Sequence, residues 1–199
     1  MSSAKADSVV PYIATWSEEH WDEHPRVVER PDGSGIAYPD EILADRDQRG
    51  VLWDRATSRP GHGKPQFARI HPLRQRRAMR KLLCQTCGNP ADNTCHGVLW
   101  VLRDTGQPLT EHLLVSEPPI CLPCARLSAK LCPALRKGHI LLRAESFRLF
   151  GVDGLRYRTG HPAPVPIDHH VVSFTDPAIR WTLADKLVRE IGDYTILTR

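Results

Sequence analysis

The side chains best placed to do chemistry are four cysteines in two C-x-x-C pairs, Cys84-Gln85-Thr86-Cys87 and Cys121-Leu122-Pro123-Cys124, with 33 residues between the pairs. A C-x-x-C loop lets two thiolates converge on one ion at about 2.3 Å from each sulfur, and two such loops complete the tetrahedron of a structural zinc site. The chain has six cysteines in all. Ser2 to Ser8 is polar and offers no apolar signal segment, so a cytoplasmic setting is expected, where this spacing favours a metal over disulfides. Redox or iron–sulfur chemistry is the alternative use, although no βαβ pattern accompanies either pair. The expectation is one structural Zn²⁺ held by Cys84, Cys87, Cys121 and Cys124. Cys95, His96 and Cys132 are further candidates for the set. Cys132 follows Cys124 by eight residues, about 80° round an ideal helix. Cys132 is expected to be a core thiol, and Cys95 and His96 to be loop residues.

The surrounding sequence shows what must hold these ligands. Gly88-Asn89-Pro90 supplies a turn after the first pair. The second pair opens Ala125 to Leu131, a run of good helix formers, so its thiols sit at a helix N-terminus where backbone N–H groups and the dipole favour thiolate. Between the pairs, Gly97 to Arg103 reads as a buried strand, Asp104 to Pro108 as a turn and His112 to Val115 as a return strand.

Knuckle, hairpin and ligand-bearing helix in this order resemble a treble-clef zinc finger over roughly residues 84–137. Treble-clef nucleases of the HNH type share the pattern, and Cys124-Ala125-Arg126 to Lys130 is similar to their final helix. The eight residues between His112 and Cys121 hold neither asparagine nor histidine. That resemblance therefore leaves His96 and His112 as its only candidate metal ligands or bases. His20-Trp21-Asp22-Glu23-His24 matches the H-x-x-E-H zinc signature of inverzincin peptidases, but Pro25 stops that segment at once, and a capped surface helix is expected there instead. The chain as a whole resembles uncharacterised actinobacterial proteins associated with prophage or mobile genes.

Net charge is +4 over 199 residues, and it is segregated. Residues 1–54 carry five basic and twelve acidic side chains, residues 55–143 fifteen and four, and residues 144–199 seven of each. A basic centre beside an acidic segment fits an anion-binding surface or internal pairing of the two. The division expected is an acidic N-terminal arm (1–54), with residues 1–8 disordered, a basic linker (55–70) and a zinc-centred domain (71–199). His71 to Leu83 reads as a basic helix running into the first cysteine pair, with Arg74, Arg76, Arg77, Arg80 and Lys81 as candidate phosphate contacts.

Within the arm, short strands are expected over Val9 to Trp16 and Ile36 to Tyr38, and short helices over 18–24 and 40–45. Beyond the module, residues 139–144, 147–152 and 155–158 read as strands with a hairpin turn at Asp153-Gly154, followed by a strand over Val171 to Phe174. Ile179, Leu183, Leu187 and Ile191 stand four apart, which reads as an amphipathic helix from Pro177 to Ile191, with a last strand over Tyr194 to Leu197. His161, Asp168, His169 and His170 fall in a Pro-rich loop.

These elements give an α+β protein with a central zinc module, antiparallel strands, a C-terminal helix and an extended acidic arm. A nucleic-acid-associated binding protein is the function expected. A protein-assembly role through the acidic arm, by a partner or by self-association, is the alternative, and a degenerate nuclease a more distant one. No run of the sequence is long and apolar enough for a membrane span.

Overall fold

A computed structural model describes residues 9–22 and 25–199. The expectations for residues 1–8, and for Glu23 and His24 of the H-x-x-E-H match, lie outside them. The elements in chain order are β1 (Ala14–Trp16), β2 (Val28–Glu29), β3 (Ile36–Ala37), β4 (Leu52–Trp53), β5 (Pro65–Ile70), α1 (Pro72–Lys81), β6 (Asn93–Thr94), β7 (Gly97–Arg103), β8 (Leu113–Val115), α2 (Leu122–Leu131), α3 (Pro133–Arg136), β9 (His139–Arg158), β10 (Val165–Ser173) and β11 (Thr182–Thr198). The class is α+β with strands predominating.

Two long strands organise the molecule. β9 and β11 run antiparallel from Thr182 opposite Arg156 to Thr198 opposite Leu141. Along its other edge β9 pairs first with β7 and then with β10, while β11 takes β8 and, in parallel, β4. β6 completes a seven-stranded sheet beside β7.

The C-terminal helix is therefore a correction. Only Pro177–Trp181 is helical, as a 3-10 turn, and the rest of the expected helix is strand. A four-residue spacing is a multiple of the strand period as well as close to one helical turn, so the stripe did not discriminate. Its members pack in three separate clusters: Leu183 with Ile36, Tyr38 and Leu52, Leu187 with Trp53 and Met79, and Ile191 with Trp100 and Leu142. A register shift between Ala184 and Lys186 adds a residue and moves Leu187 to the face of Ala184.

The hairpin turn at Asp153-Gly154 is a second correction, because both residues lie inside β9. Gly154 serves close approach rather than a bend: a Cβ there would lie 2.2 Å from the Leu183 carbonyl oxygen. β8 is a third. It is a strand as expected, but it pairs with β11 and does not return along β7, whose hairpin partner is β6.

Over its described residues the acidic segment is built into the fold. β1 pairs with β5, so the basic linker ends in a strand, and β4 joins the main sheet. Ile36, Tyr38, Leu52 and Trp53 are buried. Of the helix expected at 18–24, the described residues show only a turn through Ser17 and Glu18, and the helix expected at 40–45 is a 3-10 turn at Leu43–Asp45.

α1 forms where expected, with Pro72 at its first turn. It docks through buried polar groups. The Gln75 side chain donates to the carbonyls of Ser116 and Leu187 and accepts from the Leu187 N–H. Arg189 of β11 donates twice to the Met79 carbonyl, at 3.0 and 2.7 Å, and also to that of Phe147. Arg74 forms a fork with Glu19 at 2.6 and 2.7 Å, both side chains being at least nine-tenths buried. Burial alone would raise the Glu19 carboxyl. The Arg74 guanidinium and the N–H groups of Trp16 and Arg59 more than offset it and hold it at about 2.

A depressed carboxyl stabilises the fold above its ordinary pKa and loses that contribution as pH falls through the folded value. Glu19 is expected to contribute on the order of 3 kcal/mol near neutrality. In urea titrations this share should disappear between pH 4.5 and about 2. Arg74→Met leaves a buried carboxylate without its partner and should cost about 3–5 kcal/mol at neutral pH.

Candidate metal centre

The Sγ atoms of Cys84, Cys87, Cys121 and Cys124 lie within 4.8 Å of one another. Cys87 Sγ and Cys121 Sγ are 3.8 Å apart. That is the separation of two sulfurs each about 2.3 Å from a shared ion at the tetrahedral angle, and far beyond the roughly 2.05 Å of a disulfide. The cysteines are free thiols in the structure. Among the described residues this is the one group of His, Cys, Asp and Glu side chains close enough together to hold a metal ion.

Each ligand pair is positioned by local backbone hydrogen bonding. In the knuckle, the Cys84 N–H donates to the Asn89 carbonyl at 2.7 Å and the Gly88 N–H to the Cys84 carbonyl at 2.9 Å. Gly88 has a φ of 75°, and a Cβ there would lie 2.9 Å from the Tyr12 ring, so glycine is required on both counts. Across the site Cys121 is the N-cap of α2 and Cys124 stands in its first turn, as the helix formers after Cys124 implied. A Thr86–Ser128 hydroxyl contact at 3.3 Å links knuckle to helix.

The centre has its own apolar support. Cys84 packs with Leu99, Val101, Ile120 and Ala125, and this cluster lies on one side of β7 while Val98 and Trp100 face the other. The N-terminal segment crosses the knuckle: the N–H groups of Tyr12 and Ile13 donate to the carbonyls of Thr86 and Gln85 at 2.8 and 3.2 Å. Nothing in the sequence signalled this strap. A Pro-Tyr-Ile stretch far from the cysteines has no spacing that points to them.

Burial, followed by the hydrogen bond with Cys121, pushes the Cys124 thiol well above its ordinary value. Four thiolates at these distances repel, and a divalent cation at their centre reverses that penalty. The donor set thus fits a soft, tetrahedral, closed site of the structural kind.

Cys95 and His96 occupy the exposed turn between β6 and β7, and Cys132 caps the end of α2, half-buried. None of the three joins the group. His112 Nδ1 lies 2.9 Å from Glu190 in an open cleft of about 590 Å³. His161 is exposed, Asp168 pairs with Arg156, and His169 bridges Asp153 and Asp185 at 3.0 and 3.3 Å. The loop expected around them is partly β10.

Of the basic helix, Arg74 is bound to Glu19, Arg76 stacks 4.4 Å over Trp53, and Arg80 pairs with Asp47 at 2.7 Å. Arg77 and Lys81 are exposed. Two of these five charges are thus paired internally with the acidic segment. No protein-family model, curated protein or solved structure matches the chain, so the resemblance to actinobacterial mobile-element proteins stands without a supporting match.

Elemental analysis of the purified protein should find one metal ion per chain. Cys84→Ser or Cys121→Ser should abolish it and unfold the cluster around Ile120. Cys95→Ser and Cys132→Ser should leave the stoichiometry unchanged. Because thiolates are the ligands, metal release should follow acidification.

Proposed function

We propose that this chain is a zinc-stabilised, nucleic-acid-associated binding protein, with the four-cysteine site holding one structural Zn²⁺ as in a treble clef whose hairpin has been re-paired. One observation favours this reading above the others. From Cys121 to Lys137 the ligand-bearing helix and α3 carry Arg126, Lys130, Arg136 and Lys137 and no acidic residue. All four cations are exposed, and none has an acidic partner among the described residues. Together with Arg77 and Lys81 of α1 they offer uncompensated charge on elements that the metal and the sheet hold rigid. Phosphates would displace counterions from such charges, so the interaction is salt-dependent and largely indifferent to base sequence.

A protein partner is the second reading, and it is favoured by β10. Among the described residues this nine-residue strand pairs with β9 alone, and its Ile167 is 53% exposed. The acidic segment is a poorer recruiter. Its carboxylates at Glu19, Glu41, Asp45 and Asp47 are held by arginines of the same chain.

Fluorescence anisotropy with a non-specific DNA duplex tests the first reading. Binding should weaken steeply between 50 and 200 mM salt, with a slope of log K on log salt of about −0.9 per phosphate contact. Replacing Arg126, Lys130, Arg136 and Lys137 with glutamine should flatten that slope and cost tenfold or more in affinity, with metal content retained. An unchanged slope, or no binding at low salt accompanied by self-association, would favour the protein partner.

A further inference from the structure

A cavity of about 510 Å³ opens between the β2–β3 hairpin, the loop before β4 and the 3-10 turn Pro177–Trp181. Its charge is dominated by arginines. Arg46 is at its floor, 16% exposed and fully engaged: it donates to both oxygens of Glu41 and to the carbonyls of Ile36 and Gly50. Arg30 is weakly paired with Asp32 at 3.6 Å, and Asp32 also accepts the Ser34 N–H. Arg49 and Arg180 have no carboxylate partner among the described residues. Two of the four guanidinium groups are therefore uncompensated.

The ring of Phe174 lies beside the Arg49 guanidinium, and the turn that carries the exposed Arg180 has a fixed backbone. The loop carrying Arg49 is closed on Asp47, whose carboxylate accepts the N–H groups of Arg49 and Val51 at 2.9 and 3.2 Å. Arg80 neutralises that carboxylate from the side of α1. The guanidinium of the exposed Arg49 lies 4.7 Å over the Phe174 ring, and its N–H groups make no hydrogen bond among the described residues. Arg180 follows Asp176, which caps the turn by accepting the Ala178 N–H at 2.8 Å. Gly35, with φ of 148°, packs so closely that a Cβ would lie 2.2 Å from the Arg180 carbonyl oxygen. Hairpin and turn are thereby locked together across the cavity.

We infer that this cavity binds the phosphate group of a small phosphomonoester, a nucleoside monophosphate in class. Two planar forks with no acidic partner suit a dianionic phosphate that accepts paired N–H donors. A bare phosphate would fill a small part of the space. The half-buried Phe174 and Ile179 supply an apolar wall for the organic portion. None of these residues belongs to the surface proposed for nucleic acid, so either reading can fail alone.

Calorimetric titration of the full-length protein with inorganic phosphate, adenosine monophosphate and adenosine tests the assignment. Phosphate should bind in the millimolar range and the monophosphate more tightly, and phosphate should compete with it. Adenosine should not bind. Arg49→Gln with Arg180→Gln should weaken both phosphate ligands at least tenfold, while Arg103→Gln, at the exposed end of β7, should change neither. Side-chain Nε–H resonances of Arg49 and Arg180 in the unmutated protein should shift on adding phosphate, a readout that needs no variant to fold. No heat and no shift at about ten times a millimolar dissociation constant would overturn the proposal. So would equal binding of adenosine and its monophosphate, or an undiminished affinity in the double variant.

Discussion

Polar burial on α1 is the constraint that the other contacts depend on. One helix presents Arg74, Gln75 and the Met79 carbonyl to the interior, and each must find a partner, because an unsatisfied polar group away from water costs more than its hydrogen bond returns. Glu19 answers from the N-terminal segment, Leu187 and Arg189 from β11, and Ser116 from the chain just after β8. Burial pushes Arg189 down to about 10, still charged at neutrality, and two carbonyls take the place of a carboxylate. Apolar contacts alone would tolerate sliding of the helix along the sheet, whereas these bonds fix its position. The knuckle begins two residues after the helix's left-handed cap at Leu82, so the placement of Cys84 follows from that position.

The metal centre has a different source of order. Its apolar cluster is small, and Cys87 is exposed. An ion shared by two C-x-x-C loops would supply part of their fixed geometry and so couple metal binding to local folding. The Tyr12 strap and the Thr86–Ser128 contact then tie that local order to the rest of the chain.

The grouping of the four cysteines was legible because its signal is local: residue type and spacing within four positions. The same holds for α1, α2 and β7, whose composition and periodicity agree with their final state. The failures share one cause, which is that a local pattern has more than one tertiary use. A spacing of four fits helix and strand alike, and in β11 both sheet faces are covered, so Leu183 and Ala184 are buried side by side. Gly154 reads as a turn residue when its neighbours are unknown, and as a close-contact residue once β11 lies against it. Arginines on a polar helix face read as candidate phosphate contacts when the acids that bind two of them are 33 and 55 residues away.

The pairing of β9 with β11 sets the order in which the molecule can assemble. The β6–β7 hairpin closes over a two-residue turn and the cysteine site over 33 residues, whereas the bonds that seat α1 join Gln75 to Leu187, 112 residues apart. Loop closure over such separations is entropically slow, and contact order of this kind lengthens folding. Until β11 arrives, β9 shows one bare edge along its whole length, and β4 and β8 have no sheet to join. The nascent chain is thus a cysteine-bearing module beside an unpaired strand. That is the stage at which it is most exposed to association with another copy of itself.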